Sequence, residues 1–243
     1  MARRPVRILR TLLILALLGL GGLLLYGYAR NHPQDMPWTQ LDLSQRPGAF
    51  TGRKLRALSD DFARCRALLT RAGVRFTALP PRQAEGQCGY DDAVRFGRGG
   101  ALAISYRPAD LGTACPVAAA LALWEWHVVQ PAALRHFGRR VEAIDHFGSY
   151  SCRRLYGRDE GAWSEHSTAN AVDIAGFRLE GGTRISVLGD WRREGPPAAF
   201  LREVRDGACG LFATTLSPDY NEAHRDHLHL DQAQRSAGWS ACR

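Results

Sequence analysis

Histidine and aspartate side chains in two short stretches of this sequence could together bind a metal ion. In the first stretch, residues 164–173, His166 and Asp173 lie seven positions apart on a run of small residues that leads into an apolar segment. The second stretch, residues 224–229, carries three histidines and Asp226. A neutral imidazole from each stretch and one carboxylate form a normal ligand set for a catalytic zinc ion, with the fourth position left for water. The two stretches therefore predict a catalytic zinc site.

Strands are the elements that must bring these side chains together. The apolar run at residues 172–177 is predicted as one strand. Residues 224–230 are predicted as another, in which alternation places His227 and His229 on one face. Further strands are predicted near residues 74–79, 93–96, 101–106, 141–147 and 184–188.

Helices are predicted to pack on this sheet. The first covers residues 60–71, with Ser59 as its N-cap and Gly73 as its stop. A last helix covers residues 197–205, just before the second histidine-rich stretch. The order of elements predicts an α+β fold, with helices packed on a small antiparallel sheet that carries the zinc site.

The longest predicted helix, residues 116–130, is apolar nearly all round and should be the buried central helix. Pro131 is expected to kink or restart it. Trp124 and Trp126 on this helix could form a sugar-stacking surface, but core packing is the preferred interpretation.

The net charge argues against one class of partner, nucleic acid, and says little about the others. The formal net charge is +8, and five arginines in or beside the N-terminal segment leave only +3 for the rest of the chain. No dense basic stripe with interleaved aromatics is present, which argues against a nucleic-acid binder. A mildly basic surface would suit the anionic polymers of a cell envelope, although solubility alone explains it equally well.

The N-terminal segment is predicted to cross a membrane. Residues 11–28 form an almost unbroken apolar run without a charge, and four arginines precede it. A helix of that length spans roughly 27 Å, close to the hydrocarbon core of a bilayer. The arginines predict a cytoplasmic N-terminus, so residues 1–29 would be a single-pass inner-membrane anchor with the domain in the periplasm. A cleaved signal peptide and a secreted domain are the alternative.

The remaining chain divides into a tether and a domain. Residues 30–55 are polar, contain three prolines and lack periodicity, and are predicted as a tether that holds the domain, residues 56–243, off the membrane.

An even number of cysteines without Cys-x-x-Cys spacing fits disulfides in an oxidising compartment. Sequence alone cannot pair them, and the pairing guessed from neighbouring elements is Cys65–Cys88, Cys115–Cys152 and Cys209–Cys242. Cysteine ligation of the metal is the less favoured alternative.

Several motifs in combination carry a resemblance to a known family. From about Cys65 onward the chain resembles the bacterial extensin-like C-terminal domain family, and more widely the zinc peptidases of the lysostaphin, D-Ala-D-Ala-peptidase and hedgehog type. Ala169 departs from the pattern, because the family usually has glycine there, and a left-handed alanine would be strained by roughly 1 kcal/mol. The motifs are Ser-Tyr-Ser-Cys-Arg at 149–153, Ser-Glu-His at 164–166, Asn-Ala-Val-Asp at 170–173, Pro-Asp-Tyr-Asn at 218–221 and His-Arg-Asp-His-Leu-His-Leu-Asp at 224–231.

The resemblance implies a role for each residue of the site. The implied metal ligands are His166, Asp173 and His229, and two neutral nitrogens with one carboxylate leave Zn²⁺ one net positive charge, which acidifies water to near neutral pH. Asp226 matches the place of a catalytic carboxylate in relatives. His227 and His224 are similar to the supporting and catalytic histidines of the penicillin-insensitive murein endopeptidases, which share a His-x-x-His-x-His run.

Arg153 matches an arginine that contacts the substrate carbonyl in relatives, where its charge could stabilise an oxyanion. The less specific alternatives stay open. His224 could be an ordinary loop histidine, Asp226 could merely orient His229, and Arg153 beside Arg154 could be surface charge.

Two classes of function follow from these residues. The first is a zinc-dependent hydrolase that cleaves amide bonds in peptidoglycan peptides, as a D,D-endopeptidase or carboxypeptidase. The second is a zinc-containing cell-wall-binding or scaffolding domain without turnover. A structural glycoprotein of the extensin kind would need proline-rich repeats, which the sequence lacks.

Overall fold

The computed structural model describes residues 3–235 and 239–243, without the side chains of residues 3–5. It confirms a mixed α+β architecture with an apolar N-terminal helix. The α-helices are α1 Arg3–Asn31, α2 Thr51–Arg56, α3 Phe62–Arg71, α4 Cys115–Trp124, α5 Gln130–Phe137, α6 Val187–Asp190 and α7 Pro196–Ala208. The strands are β1 Val74–Ala78, β2 Arg82–Gln83, β3 Gly89–Tyr90, β4 Ala93–Gly100, β5 Ser105–Arg107, β6 Gly112–Ala114, β7 Val141–Gly148, β8 Ala171–Leu179, β9 Arg184–Ser186, β10 Thr214–Leu216, β11 Leu228–Asp231 and β12 Ala241–Cys242.

The largest sheet is mixed rather than antiparallel. Its order is β12-β10-β11-β8-β7-β5, with β9 paired to β8. The central pairs are antiparallel as predicted, but β5 runs parallel to β7 and β12 parallel to β10, so the prediction is wrong at both edges. A second sheet has the order β1-β4-β6, and β2 pairs with β3.

The last strands are shorter than predicted. β11 begins at Leu228, because residues Glu222–His224 form a 3₁₀ turn. His227 therefore precedes the strand, and the alternation expected to place it beside His229 does not apply. The predicted strand at 184–188 ends at Ser186, whose hydroxyl caps α6 by accepting the N–H of Gly189.

Helix α4 lies at the centre of the core, as its apolar sequence predicts. Every one of its residues is buried. Trp124 packs against Phe177 of β8, and its ring N–H donates to the carbonyl of Val204 in α7 at 2.8 Å. A π-helical turn, Glu125–Val129, follows α4, and the restart at Pro131 is confirmed because α5 has this proline in its first turn.

The start of α3 differs slightly from the prediction. The N-cap is Asp61, whose carboxylate accepts the N–H of Arg64 at 2.9 Å, and not Ser59. Gly73 follows the helix with a φ of +74°, a left-handed value that glycine adopts without strain.

Helix α1 is apolar enough to cross a membrane. Its span Val6–Asn31 has a mean hydropathy of 2.4, and its apolar window is not buried against the domain. A signal sequence would have the same properties.

The segment predicted as a tether differs from the prediction more strongly. Leu41 and Leu43 are buried in the core, so this part of the segment belongs to the folded domain.

All six cysteines are bridged, which confirms the expected disulfides and excludes sulfur ligation of a metal. Two of the three guessed pairs are wrong, because packing brings α3 against the start of α4 and the β2–β3 hairpin against the loop after β7. Only Cys209–Cys242 was guessed correctly. The observed pairs are Cys65–Cys115, Cys88–Cys152 and Cys209–Cys242, with Cα–Cα distances of 6.1, 5.4 and 5.5 Å.

Candidate metal site

The three predicted metal ligands converge at one point of the largest sheet. Asp173 on β8 lies directly opposite His229 on β11, and His166 comes from the 3₁₀ turn just before β8. The facing atoms are separated by 3.2 Å (His166 Nε2 to Asp173 Oδ1), 2.9 Å (His229 Nδ1 to Asp173 Oδ1) and 3.2 Å (His166 Nε2 to His229 Nδ1). Ligands at about 2.0 Å from a tetrahedral zinc are about 3.3 Å apart, so this cluster fits the ion.

Hydrogen bonds on the far side of each imidazole determine which nitrogen is free. The Nδ1 atom of His166 must donate to the carbonyl of Ser149 at 2.6 Å, because that oxygen can only accept. The Nε2 atom of His229 donates to the carboxylate of Asp231 at 3.2 Å. One nitrogen of each imidazole therefore faces the carboxylate oxygen of Asp173, and in the neutral rings these two nitrogens carry lone pairs. Such a donor set could hold a metal cation.

The electrostatics of the cluster agree with a cation at this place. Burial would raise the pKa of Asp173, but hydrogen bonds from His166 and His229 hold it well below its usual range. Burial would lower the pKa of His229, but its contacts with Asp173 and Asp231 raise it to about 9. Both shifts show that the surrounding groups favour a positive charge beside the carboxylate of Asp173.

Hydrogen bonds at both ends stabilise the turn that carries His166. The hydroxyl of Ser164 accepts the N–H of His166 at 3.3 Å, and Ala169 ends the turn with a φ of +56°. The carbonyl of Ala169 then accepts hydrogen bonds from Thr113 and Ser149, both at 3.0 Å. The alanine in the place of the family's glycine is thus in the left-handed region, at a cost of about 1 kcal/mol.

A cavity of about 660 Å³ opens beside the cluster, and two further histidines line it. His227 points its Nε2 atom at Asp173, 3.5 Å from Oδ1, and its Nδ1 atom is held by Asp226 at 2.8 Å. Asp226 does not line this cavity. The geometry therefore gives Asp226 the role of orienting His227 and no place on the cavity wall.

His224 also reaches the cavity, with its ring centre 5.1 Å from that of His227. Its Nδ1 atom donates to the amide oxygen of Asn221 at 2.7 Å. Burial and the neighbouring histidines lower the pKa of His224 to about 4, so it stays neutral at physiological pH.

The two adjacent arginines have separate surroundings. Arg153 lines the cavity and donates to the hydroxyl of Ser151 at 3.2 Å. Arg154 lies over the ring of Trp163, 4.3 Å from its centre, and donates to the carbonyl of Gly161. Of these two arginines, Arg153 is the one that lines the cavity.

Some residues of the site were missed from the sequence. Asp231 orients His229, a role considered for Asp226, and its position two residues along the same strand was an available signal. The carbonyl of Ser149 has no sequence signal at all. Glu165, which was given no role, lines the cavity and accepts a hydrogen bond from Asn170 at 2.6 Å, and burial raises its pKa.

The fold and the site define an α+β domain whose two histidines and one aspartate could hold a metal ion at the edge of an open cavity. Residues 63–243 match the family described as Extensin-like protein C-terminus, and the chain belongs to this family. Neither a curated protein nor a solved structure shows significant similarity to the chain. The wider relation to zinc peptidases stays a prediction.

Proposed function

We propose that this domain is a zinc-dependent peptidase that hydrolyses amide bonds in peptidoglycan peptides. One observation carries the proposal. Two ring nitrogens and one carboxylate oxygen, from His166, His229 and Asp173, converge within 3.2 Å of one another, and an oriented fourth side chain, His227, faces the same point from an open cavity. A purely structural metal site would normally be closed by a fourth protein ligand.

Zinc held by His166, Asp173 and His229 would acidify a water molecule and polarise an amide carbonyl. The remaining chemistry belongs to the side chains. His227 keeps its proton on Nδ1, bonded to Asp226, so its Nε2 atom can accept the proton of the attacking water. The carboxylate of Asp226 then stabilises the imidazolium that forms.

His224 is a weaker candidate for the base than His227. A pKa of about 4 makes it a poor proton acceptor at neutral pH, although its Nε2 atom can accept a hydrogen bond from a substrate amide. Arg153 lies on the cavity wall and supplies a fixed positive charge for the oxygen of the tetrahedral transition state.

The cavity suits a peptide that carries negative charge. Three arginines line it, together with two exposed tyrosines at its rim. The arginines are Arg153, Arg235 and Arg243, and the tyrosines are Tyr156 and Tyr220. A wall peptide with free carboxylates matches this lining by charge.

The test is incubation of the purified, zinc-loaded protein with cross-linked and with monomeric muropeptides, with and without a chelator, followed by chromatography of the products. We expect a shortened or separated peptide only without chelator. His229→Ala should fail to retain zinc and should show no product, and Arg139→Gln, remote from the cavity, is the matched control. Zinc binding without any product would favour the wall-binding alternative.

A further inference from the structure

The segment between the anchor helix and the domain is folded onto the domain, and we refer to residues 32–56 as the collar. The backbone N–H of Ala49 donates to the carboxylate of Asp35 at 2.8 Å. The ammonium group of Lys54 bonds to the carbonyl of Pro33 at 3.3 Å and to the hydroxyl of Thr39 at 2.8 Å. Both ends of the collar are therefore in contact with each other.

Gly48 shows how closely the collar is packed. A Cβ atom at this position would lie 2.2 Å from Oδ1 of Asp35 and 2.9 Å from the backbone carbon of Gln34. Real Cβ atoms do not approach other atoms so closely. Only glycine therefore fits at this position without a shift of its neighbours. Between these contacts, Leu41 and Leu43 are buried in the domain core.

The end of helix α1 takes part in the same contacts. The hydroxyl of Tyr28 donates to Asp35 at 2.8 Å, and the N–H of His32 donates to the carbonyl of Tyr28 at 2.8 Å. The ring of His32 stacks on that of Tyr28 with centres 4.6 Å apart. No free length of chain separates the helix from the collar, because the helix contacts the collar directly.

The collar shares a second cleft with the C-terminal segment that borders the site cavity. Gln234 donates to the carboxylate of Asp60, just beyond the collar, at 3.4 Å. A cleft of about 310 Å³ is lined by Ala49 and Arg53 of the collar on one side and by Ser240 on the other. The two neighbours of Ser240, Trp239 and Ala241, line the site cavity. The collar and the site cavity thus border the same C-terminal segment of the domain.

From these contacts we infer that the anchor, the collar and the site act as one unit. Its substrate is a wall peptide held at the membrane surface, attached to a lipid or to peptidoglycan strands close to the bilayer. A domain of this length is about 40 Å across, so peptides farther away are out of reach. The inference rests on the proposed function, and it also requires that α1 stays in place as an anchor.

The experiment uses the full chain reconstituted in phosphatidylcholine vesicles at about 0.15 M salt, where surface charge attraction is weak. A second protein carries 30 Gly/Ser residues inserted after Asn31, which add about 30 Å of flexible chain, separate Tyr28 from His32 and Asp35, and leave the contacts within the collar in place. A fluorophore on Glu222→Cys, an exposed position beside the cavity, reports energy transfer to acceptor lipids. We expect transfer at least about twofold stronger without the insertion.

The distance from the membrane at which the site can cleave a peptide is measured with the same two zinc-loaded proteins. A stem peptide is displayed on lipid-anchored helical spacers of about 15 Å and about 90 Å. The protein without the insertion should cleave the long-spacer peptide at least about tenfold more slowly than the short-spacer peptide. For the protein with the insertion, the two cleavage rates should differ by less than about threefold.

Each outcome has one meaning. Equal energy transfer for the two proteins would overturn the fixed collar whatever the activity. Equal cleavage on both spacers by the uninserted protein would overturn the restricted reach, and so would a mature chain that begins near Arg30 in cells. Absence of cleavage on every substrate, including the soluble peptide, would contradict the proposed function, while a difference in transfer would still support the fixed collar.

Discussion

His166 and His229 each use one ring nitrogen to hold their orientation and leave the other for the cluster around Asp173. This division of roles depends on Ser149 and Asp231, which contact the ligands and would not contact the metal itself. At this scale the chemistry is set by single hydrogen bonds, and single substitutions can separate metal binding from catalysis.

The first prediction separates the base from the group that orients it. His227→Gln should retain about one zinc per chain but lose activity about 10²–10⁴-fold, because no side chain then accepts the proton of the water. Asp226→Asn should retain zinc and lose about 10–100-fold, since it acts only through His227. Metal content by mass spectrometry and muropeptide cleavage are measured on the same preparations.

Asp226→Glu distinguishes orientation from a structural effect. Because Asp226 acts by holding the Nδ1 atom of His227, a carboxylate at this place should restore part of the activity that Asp226→Asn loses. A loss of activity in Asp226→Asn larger than in His227→Gln would return the role of base to Asp226.

The second prediction concerns Asp231. Asp231→Ala removes the acceptor of the ring N–H of His229, so zinc affinity should fall about 10–100-fold. Competition with a fluorescent chelator measures the affinity. Asp219→Ala is the control. This carboxylate accepts a hydrogen bond from Trp191 and does not line the cavity. Unchanged affinity in Asp231→Ala would remove Asp231 from the site.

The sequence predicts the three ligands because their residue types and motifs are local features of the chain. The partner of Asp226 could not be predicted, because it depends on where β11 begins. A strand start at residue 224 would have directed His227 by alternation, whereas the turn at Glu222–His224 places it by loop geometry. The carbonyl of Ser149 has no side-chain identity for a sequence to show.

At the scale of elements, the pairing of β8 with β11 brings Asp173 opposite His229, and the disulfides hold the loops around this pair. Cys152 lies between Ser151, whose N–H bonds to the carbonyl of His166, and Arg153, whose carbonyl accepts the N–H of Ser164. The bridge to Cys88 therefore holds the loop that supports the first metal ligand.

The third prediction compares two disulfides. The Cys88–Cys152 and Cys209–Cys242 bridges span 64 and 33 residues, and each should contribute about 4 kcal/mol on the chain-entropy model. Replacing both cysteines of either pair by serine should lower the free energy of unfolding by similar amounts. Only loss of Cys88–Cys152 should also weaken zinc binding. Peptide mapping without reduction tests the pairing itself, and a Cys65–Cys88 peptide would contradict it.

Glu125, in the π-helical turn, supplies the fourth prediction. It is buried, accepts the N–H groups of Ala103 and Ile104 on one oxygen, and has no partner for the other. Burial raises its pKa from 4.5 to about 7. Because the folded-state pKa is the higher one, ionisation opposes folding, and stability falls as the pH rises from about 4.5 to about 7.

Glu125→Gln should remove this pH dependence. The variant should be more stable than the parent by about 3 kcal/mol at pH 8 and similar to it at pH 4. Denaturant unfolding at the two pH values measures the difference, with Glu222→Gln as the control, because the side chain of Glu222 is 81% exposed. A gain of equal size at both pH values would show that charge is not the cause.

At the scale of the whole molecule, composition and periodicity predict the α+β class, the apolar helix and the bridged cysteines. They do not predict the parallel edges of the sheet or two of the disulfide pairs, because these depend on which distant elements pack together. The tether shows the same limit. Its polar composition and prolines indicate an extended linker, but Leu41 and Leu43 pack into the core and polar contacts hold its ends together.

The last prediction concerns topology. Helix α1 has arginines in its first turns and exposed aromatic side chains near its other end, Tyr26 and Tyr28, as at a membrane interface. A periplasmic reporter fused after Pro37 should therefore be active, and the full-length protein should stay in the membrane fraction after carbonate extraction. Replacing Leu17 and Leu18 by arginine should release it, because each charge at the centre of a span costs about 3 kcal/mol. A soluble native form that begins near Arg30 would instead show a cleaved signal sequence.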